Sequence, residues 1–118
     1  MVDAAWPSEL RLKDKGQVFV VTMDNGENWE IAAELLRVES PSAEVKGHGP
    51  GQEQLVWGKR HVFIVKVEQV GNYAVRLHFN DGHNTGIYTW TYLAKLGSEQ
   101  SALMQAYEAK LQAAGLSR

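Results

Sequence analysis

Four histidines, His48, His61, His78 and His83, are the side chains of this sequence best suited to metal or acid–base chemistry. The facial triad of a non-haem iron centre takes two histidines and one carboxylate, and its usual start is a histidine with an acid two residues later. His48 is followed by Gly49-Pro50, His61 by Val62-Phe63, His78 by Phe79-Asn80 and His83 by Asn84-Thr85, so none has that acid. The two-histidine zinc helix H-E-x-x-H is absent as well. His78 and His83 flank Asn80-Asp81-Gly82 and can approach each other across a hairpin, together with Asp81; the simpler expectation is two solvated turn histidines. With no cysteine, disulfides, thiolate nucleophiles, cysteinyl zinc and thiolate-bound iron–sulfur clusters are excluded by inventory.

Two other chemistries fare no better. Gly47-His48-Gly49-Pro50-Gly51-Gln52 has the composition of a phosphate-cradling loop, but it lacks the G-K-[ST] ending and the strand-to-helix setting that aim backbone N–H groups at phosphate. A loop that needs glycine for its backbone is the simpler reading. No G-x-S-x-G nucleophile elbow occurs; Ser40, Ser42 and His83 can meet in space, without any activating geometry visible in the sequence. Trp29, Trp57, Trp90, Tyr88 and Tyr92 are expected in the core, as large aromatics in small domains usually are.

These residues must be positioned by a single small fold. A chain of 118 residues buries roughly two-thirds of its unfolded surface around one core. Its 44% apolar and 22% charged content is that of an ordered globule. A formal net charge of −2 and no Lys/Arg run argue against nucleic acid as the partner. Residues 1–7 lack the pattern of a signal peptide, and no apolar stretch reaches the roughly 20 residues of a membrane span. The expectation is a cytoplasmic protein with no membrane association.

The elements follow from alternation and turn chemistry. Leu10 and Leu12 alternate with Arg11 and Lys13, and Asp14-Lys15-Gly16 turns the chain into the apolar run Val18 to Met23. Asp24-Asn25-Gly26 is a second hairpin turn, leading to a strand from Asn28 to Ile31 and a short helix from Ala33 to Val38 that Ser40-Pro41 stops. Ser40 to Gly58 reads as one long loop, the stretch where a binding role is expected. A strand from Val62 to Val70 places Phe63, Val65 and Val67 on one face. Tyr73 to Phe79 turns Val75, Leu77 and Phe79 inward and Arg76 and His78 outward. A strand at Thr85 to Ile87, a helix from Trp90 to Leu96 capped by Thr89 and ended by Gly97, and a Ser98-capped helix from Glu99 to Ala114 complete the chain. Leu103, Tyr107 and Leu111 give the last helix an apolar stripe, and Gly115 closes it. Met23-Asp24-Asn25-Gly26 with Ile31 and Leu35-Leu36 parallels Phe79-Asn80-Asp81-Gly82 with Ile87 and Tyr92-Leu93. The fold class is therefore α+β, a small mainly antiparallel sheet built from two strand-turn-strand-helix units plus a C-terminal amphipathic helix; residues 1–97 form the core of the domain and 98–118 a helical extension of it.

Leu35-Leu36-Arg37-Val38-Glu39-Ser40-Pro41-Ser42-Ala43-Glu44-Val45, Asn80-Asp81-Gly82-His83 and Tyr88-Thr89-Trp90-Thr91-Tyr92-Leu93 closely resemble the gamma-butyrobetaine hydroxylase-like N-terminal domain family. Gly47-His48-Gly49-Pro50-Gly51-Gln52 is similar to the form that stand-alone bacterial members carry. The likeness runs from about Trp6 to Gly97. In the hydroxylases, the resemblance implies, this domain holds a structural zinc through three cysteines and a histidine, whose positions here fall at Ser40, Ser42, Val45 and His83. Only the histidine is retained, and serine and valine cannot replace thiolates, so no metal and no other cofactor is expected. The oxygenase chemistry belongs to a separate domain. A similar domain fused to P-loop iron–sulfur carrier ATPases implies an accessory role in cluster assembly or delivery.

The resulting expectation is a non-enzymatic protein-interaction domain, with a protein partner of that ATPase class and a contact region at Arg37, Gly47, His48, Gly49, Pro50, Gly51, Gln52, Arg76 and His83. The alternative is a metal or small-ligand site that joins His83 with His48, His78 or Asp81.

Overall fold

A computed structural model of the chain describes residues 6–47 and 54–118. Two antiparallel meanders, each followed by a helix, make up most of it. The first runs β1 (Pro7–Lys13), a short 3₁₀ turn at Asp14–Gly16, β2 (Val18–Met23) and β3 (Asn28–Ala32), then α1 (Ala33–Val38). A four-residue helix α2 (Ala43–Lys46) lies in the connection. The second runs β4 (Ile64–Val70), β5 (Ala74–Phe79) and β6 (Ile87–Thr89), then α3 (Trp90–Ser98), and α4 (Gln100–Ala114) ends the chain. The sheets have orders β1-β2-β3 and β4-β5-β6.

The parallel read from the sequence extends to individual hydrogen bonds. Met23 N donates to Glu27 O at 2.8 Å, and Phe79 N to His83 O at 3.0 Å. Gly26 and Gly82 share a φ of 92°, a left-handed conformation that glycine adopts without a Cβ penalty, and donate to Met23 O and Phe79 O. Asn25 Oδ1 accepts from Glu27 N, and Asp81 Oδ1 from His83 N, both at 3.0 Å. Trp6 N donates to Asp24 Oδ1 and Phe63 N to Asn80 Oδ1. Ala33 N, opening α1, donates to Gln17 O, and Trp90 N, opening α3, to Tyr73 O. The first strand of each sheet also carries a register shift at the same place, between Pro7 and Glu9 and between Ile64 and Lys66. The chain is a structural repeat of a three-stranded meander and a helix.

Both units contribute to one core. Phe19, Val21, Ile31, Leu35 and Leu36 of the first pack with Ile64, Val75, Leu77, Tyr88, Leu93 and Leu96 of the second. Tyr107 and Leu111 of α4 join the same cluster, with Leu103 half-buried beside them, as the stripe predicts; a fully buried side chain of this size contributes about 1.5–3 kcal/mol. Gly115, at φ 73°, caps α4.

Several local expectations are corrected. The sheet is not one but two of three strands. The loop from Ser40 to Gly58 contains α2. The register shift between Ile64 and Lys66 breaks the alternation expected of Phe63, Val65 and Val67, because a bulge inserts an unpaired residue: Val65 is 56% exposed while Val67 packs toward the core. The third strand of the second sheet is Ile87–Thr89, not Thr85 to Ile87. Gly97 lies inside α3, and α4 has Glu99 at its N-cap without a side-chain cap, since Ser98 Oγ donates back to Lys95 O.

Candidate functional site

The end of α1, all of α2 and the turn between β5 and β6 meet at one polar junction. Leu36 and Val38 hold α1 in the core, and Pro41 carries the chain out of the helix, since the residue before proline leaves the α region. Ser40 is thereby buried at the helix end. Ser42 then caps α2, its hydroxyl accepting from Glu44 N at 3.2 Å. From the other unit, the tight turn at Asn80-Asp81-Gly82 delivers His83, and the chain runs on through Thr85 and Gly86 to β6.

His83 is the centre of the junction, with its side chain only 2% exposed. Nδ1 lies 3.0 Å from Glu44 Oε1 and Nε2 2.8 Å from Ser40 Oγ. An ionised carboxylate only accepts, so Nδ1 carries the proton and donates to Glu44. The unprotonated Nε2 then accepts from the Ser40 hydroxyl, whose oxygen accepts in turn from Ser42 N at 3.3 Å. Ser42 Oγ and Thr85 Oγ1 are 2.6 Å apart, a second tie between the units. Burial, with help from the Arg37 charge, lowers the pKa of His83 against the opposing pull of Glu44 and Asp81; this favours the neutral ring, in which Nε2 accepts from Ser40.

A second layer surrounds the turn. Asp81 Oδ2 accepts from Arg37 Nε at 2.8 Å and lies 2.7 Å from Lys59 Nζ. Burial alone would raise the Asp81 carboxyl, but hydrogen bonds from Lys59, the His83 amide and Arg37 outweigh it and hold its pKa at about 2. Tyr88 donates its hydroxyl to Leu36 O and Tyr92 to Glu39 O, fastening the second unit to the end of α1.

Hydroxyl, imidazole and carboxylate stand in the order of a hydrolase triad, yet Ser40 is fully buried. A Cβ at position 86 would collide with Ser40 Oγ and crowd Tyr88 and Pro41, so the hydroxyl has neighbours where a substrate carbonyl would have to sit. The chain of bonds joins the two units and presents no open nucleophile.

The structure brings Ser40, Ser42 and His83 to one place, Ser40 bonding both His83 and the Ser42 amide, while Val45 is buried on α2 with its amide donating to Ser42 O. This donor set does not fit zinc: Val45 has no donor, and the Ser40 hydroxyl is engaged with the one retained imidazole. Among the described residues no three His, Cys, Asp or Glu side chains converge as a metal site. His83 is not a solvated turn histidine. It also does not meet His78, which bonds Glu68 Oε1 at 2.9 Å on the open face of the second sheet. Arg37 joins the junction through Asp81. Arg76 stands on β5 opposite Glu68 and Ile87. Gly47 ends α2; His48, Gly49, Pro50, Gly51 and Gln52 lie outside the described residues. Glu44, Lys59 and Gly86 complete this cluster without having been among the site residues expected from the sequence. Nothing in their spacing marks them, because each acts on a residue tens of positions away.

Residues 10–94 match the family described as gamma-butyrobetaine hydroxylase-like, N-terminal. The chain belongs to this family. Among solved structures, a protein determined by NMR in solution is 46% identical with a TM-score of 0.84, the match covering 98% of this chain and 86% of the other. A second NMR structure is 40% identical, again at TM-score 0.84, over 98% and 91% of the two chains. A crystal structure from Acidithiobacillus ferrooxidans, of a DUF971 family protein with unknown function, is 45% identical at TM-score 0.65 and covers 79% of this chain and 93% of its own. No curated protein matches. Membership rests on this family match, and the crystallised relative is a protein with unknown function. Among the described residues no helix is long and apolar enough to cross a membrane.

Proposed function

We propose that this chain is a non-enzymatic accessory domain that works by protein contact in the cytoplasm, its partner being a P-loop iron–sulfur carrier ATPase. The observation that carries the reading is the internal use of the junction's chemistry. Both ring nitrogens of His83 and the hydroxyl of Ser40 are taken up by bonds within the chain, which leaves a fixed base for α2. A platform of this kind suits recognition of another protein. The same bonds count against the alternative of a metal or small ligand held through His83. Without cysteine, a role in cluster delivery would act through contact with the carrier and not through thiolate ligation.

The test is anaerobic affinity capture of the tagged chain from host lysate, with mass spectrometry of what is retained and a tag-only control. Enrichment of a P-loop iron–sulfur carrier, reduced in a folded Gly49→Ala/Gly51→Ala variant, is expected. Failure to retain any such ATPase overturns the partner assignment; equal retention by the variant removes the glycine segment from the contact.

A further inference from the structure

We infer that the coil formed by residues 54–63 is a docking strip for an acidic segment of a partner protein. This rests on the protein-contact reading above and adds the chemistry of the partner. The coil has no helix or strand, yet it is held at several points: Gln54 N to Val45 O at 2.7 Å, Tyr107 Oη to Val56 O at 2.7 Å, Gly58 N to Ser117 O at 3.0 Å and Phe63 N to Asn80 Oδ1 at 2.9 Å. An anchored coil presents its side chains in a fixed order.

Those side chains are cationic and aromatic. Trp57 is 55% exposed and Phe63 36%, and between them stand Lys59, Arg60 and His61, the last two exposed. Lys59 reaches back to Asp81, which Arg37 also uses, so among the described residues two cations share one carboxylate. Residues 54–63 contain Lys59 and Arg60 and no Asp or Glu, in a chain of net charge −2. The positive charge is therefore local to the strip. Trp and Arg are the side chains that most often anchor protein interfaces, and opposite charge steers and orients the encounter. The matching partner segment carries clustered Asp or Glu with a bulky apolar side chain to cover Trp57. Nucleic acid fits poorly: sites that bind it neutralise about 6–10 phosphates, far more than these few cations. An anionic bilayer would repel the acidic remainder of the chain.

The experiment is amide NMR of the full chain titrated with a synthetic peptide of alternating glutamate and leucine. The same peptide with lysine for glutamate, a short DNA duplex and phosphatidylglycerol vesicles serve as comparisons. Saturable shifts at residues 57–63 with the acidic peptide alone are expected. Their midpoint should rise about ten-fold between low and physiological salt as the charges are screened, and the shifts should vanish in Arg60→Glu and weaken in Trp57→Ala; both positions are exposed, and resonances away from the coil report that the variants are folded. No shift, equal shifts with the lysine peptide, or binding of DNA or vesicles in its place overturns the inference. If Arg60→Glu retains the same lysate partner as the wild type, protein contact stands and this strip falls. If the acidic peptide binds while no ATPase is captured, the strip stands and the partner assignment falls.

Discussion

Trp29 lies against Gly97 in the same relation that Gly86 bears to Ser40. Each pair joins the third-strand region of one unit to the helix end of the other, and in each a Cβ on the glycine would strike the partner side chain. The repeat therefore has two equivalent junctions. One is closed by an indole packed on a helix glycine. The other is closed by a serine on a glycine of the preceding strand segment, and that small pair leaves the space that His83, Glu44 and Thr85 fill with hydrogen bonds.

Gly97→Ala and Gly86→Ala should each destabilise the fold by about 1–3 kcal/mol, the usual cost of forcing a packed site apart. Urea unfolding measures this. The two should differ in a second readout: Gly86→Ala pushes Ser40 from His83 and changes the ring-nitrogen shifts of the histidine, whereas Gly97→Ala leaves them in place. Identical histidine spectra in both variants would contradict the assignment of Ser40 as the partner of Nε2.

Replacing Ser40, Ser42 and Val45 together by cysteine should create a zinc site with His83. All three positions are buried at the junction and two already bond into the cluster, and three thiolates with one imidazole form a tetrahedral structural set. Titration with zinc, and with cobalt for its thiolate absorption, should show one equivalent bound by the variant and none held tightly by the wild type. Tight stoichiometric binding by the wild type would sink the account of the junction as a hydrogen-bonded substitute.

What was legible in the sequence follows the range of the interaction. The turns at Asn25-Gly26 and Asp81-Gly82, the stop at Ser40-Pro41 and the cap at Thr89 are local, and the structure has them. The helix α2 is too short to show a period. Val65 is turned outward by a bulge that depends on pairing with β5, which alternation along one strand cannot reveal. The junction brings Ser40 and His83 together across 43 residues, a meeting that spacing leaves open and that the family resemblance alone gives a reason to expect. Trp57, expected in the core, is held outward by a coil anchored to the chain's last residues.

Acid should unfold this protein partly through Asp81. Its folded pKa, about 2, lies below the ordinary value of 3.8. A depressed carboxylate contributes stability that is fully present above its unfolded pKa and is lost as pH falls through the folded one. Thermal unfolding midpoints should therefore decline between about pH 4 and pH 2, and more steeply in the wild type than in Asp81→Asn, which cannot titrate. At neutral pH that variant should already be less stable, because Arg37 and Lys59 lose their shared anion. Parallel pH profiles for the two proteins would show that Asp81 does not control the decline.

Arg118 should prove a structural residue although it lies outside the family match. Its guanidinium bonds both oxygens of Glu34, at 2.6 and 2.9 Å, and approaches Glu108. Glu34 sits in the first turn of α1 with its side chain only 5% exposed. Removing one partner of such a pair leaves a buried charge uncompensated. Arg118→Ala is expected to cost about 1–3 kcal/mol, less than for a fully enclosed pair because Arg118 is itself partly solvated. Glu34→Gln in the Arg118→Ala background should recover part of that loss by removing the stranded charge, and a double-mutant cycle in urea isolates the coupling. Hydrogen exchange at α1 should accelerate in Arg118→Ala and return toward the wild-type rate in the double variant. Additive losses with no recovery would mean that the pair contributes nothing beyond the separate side chains.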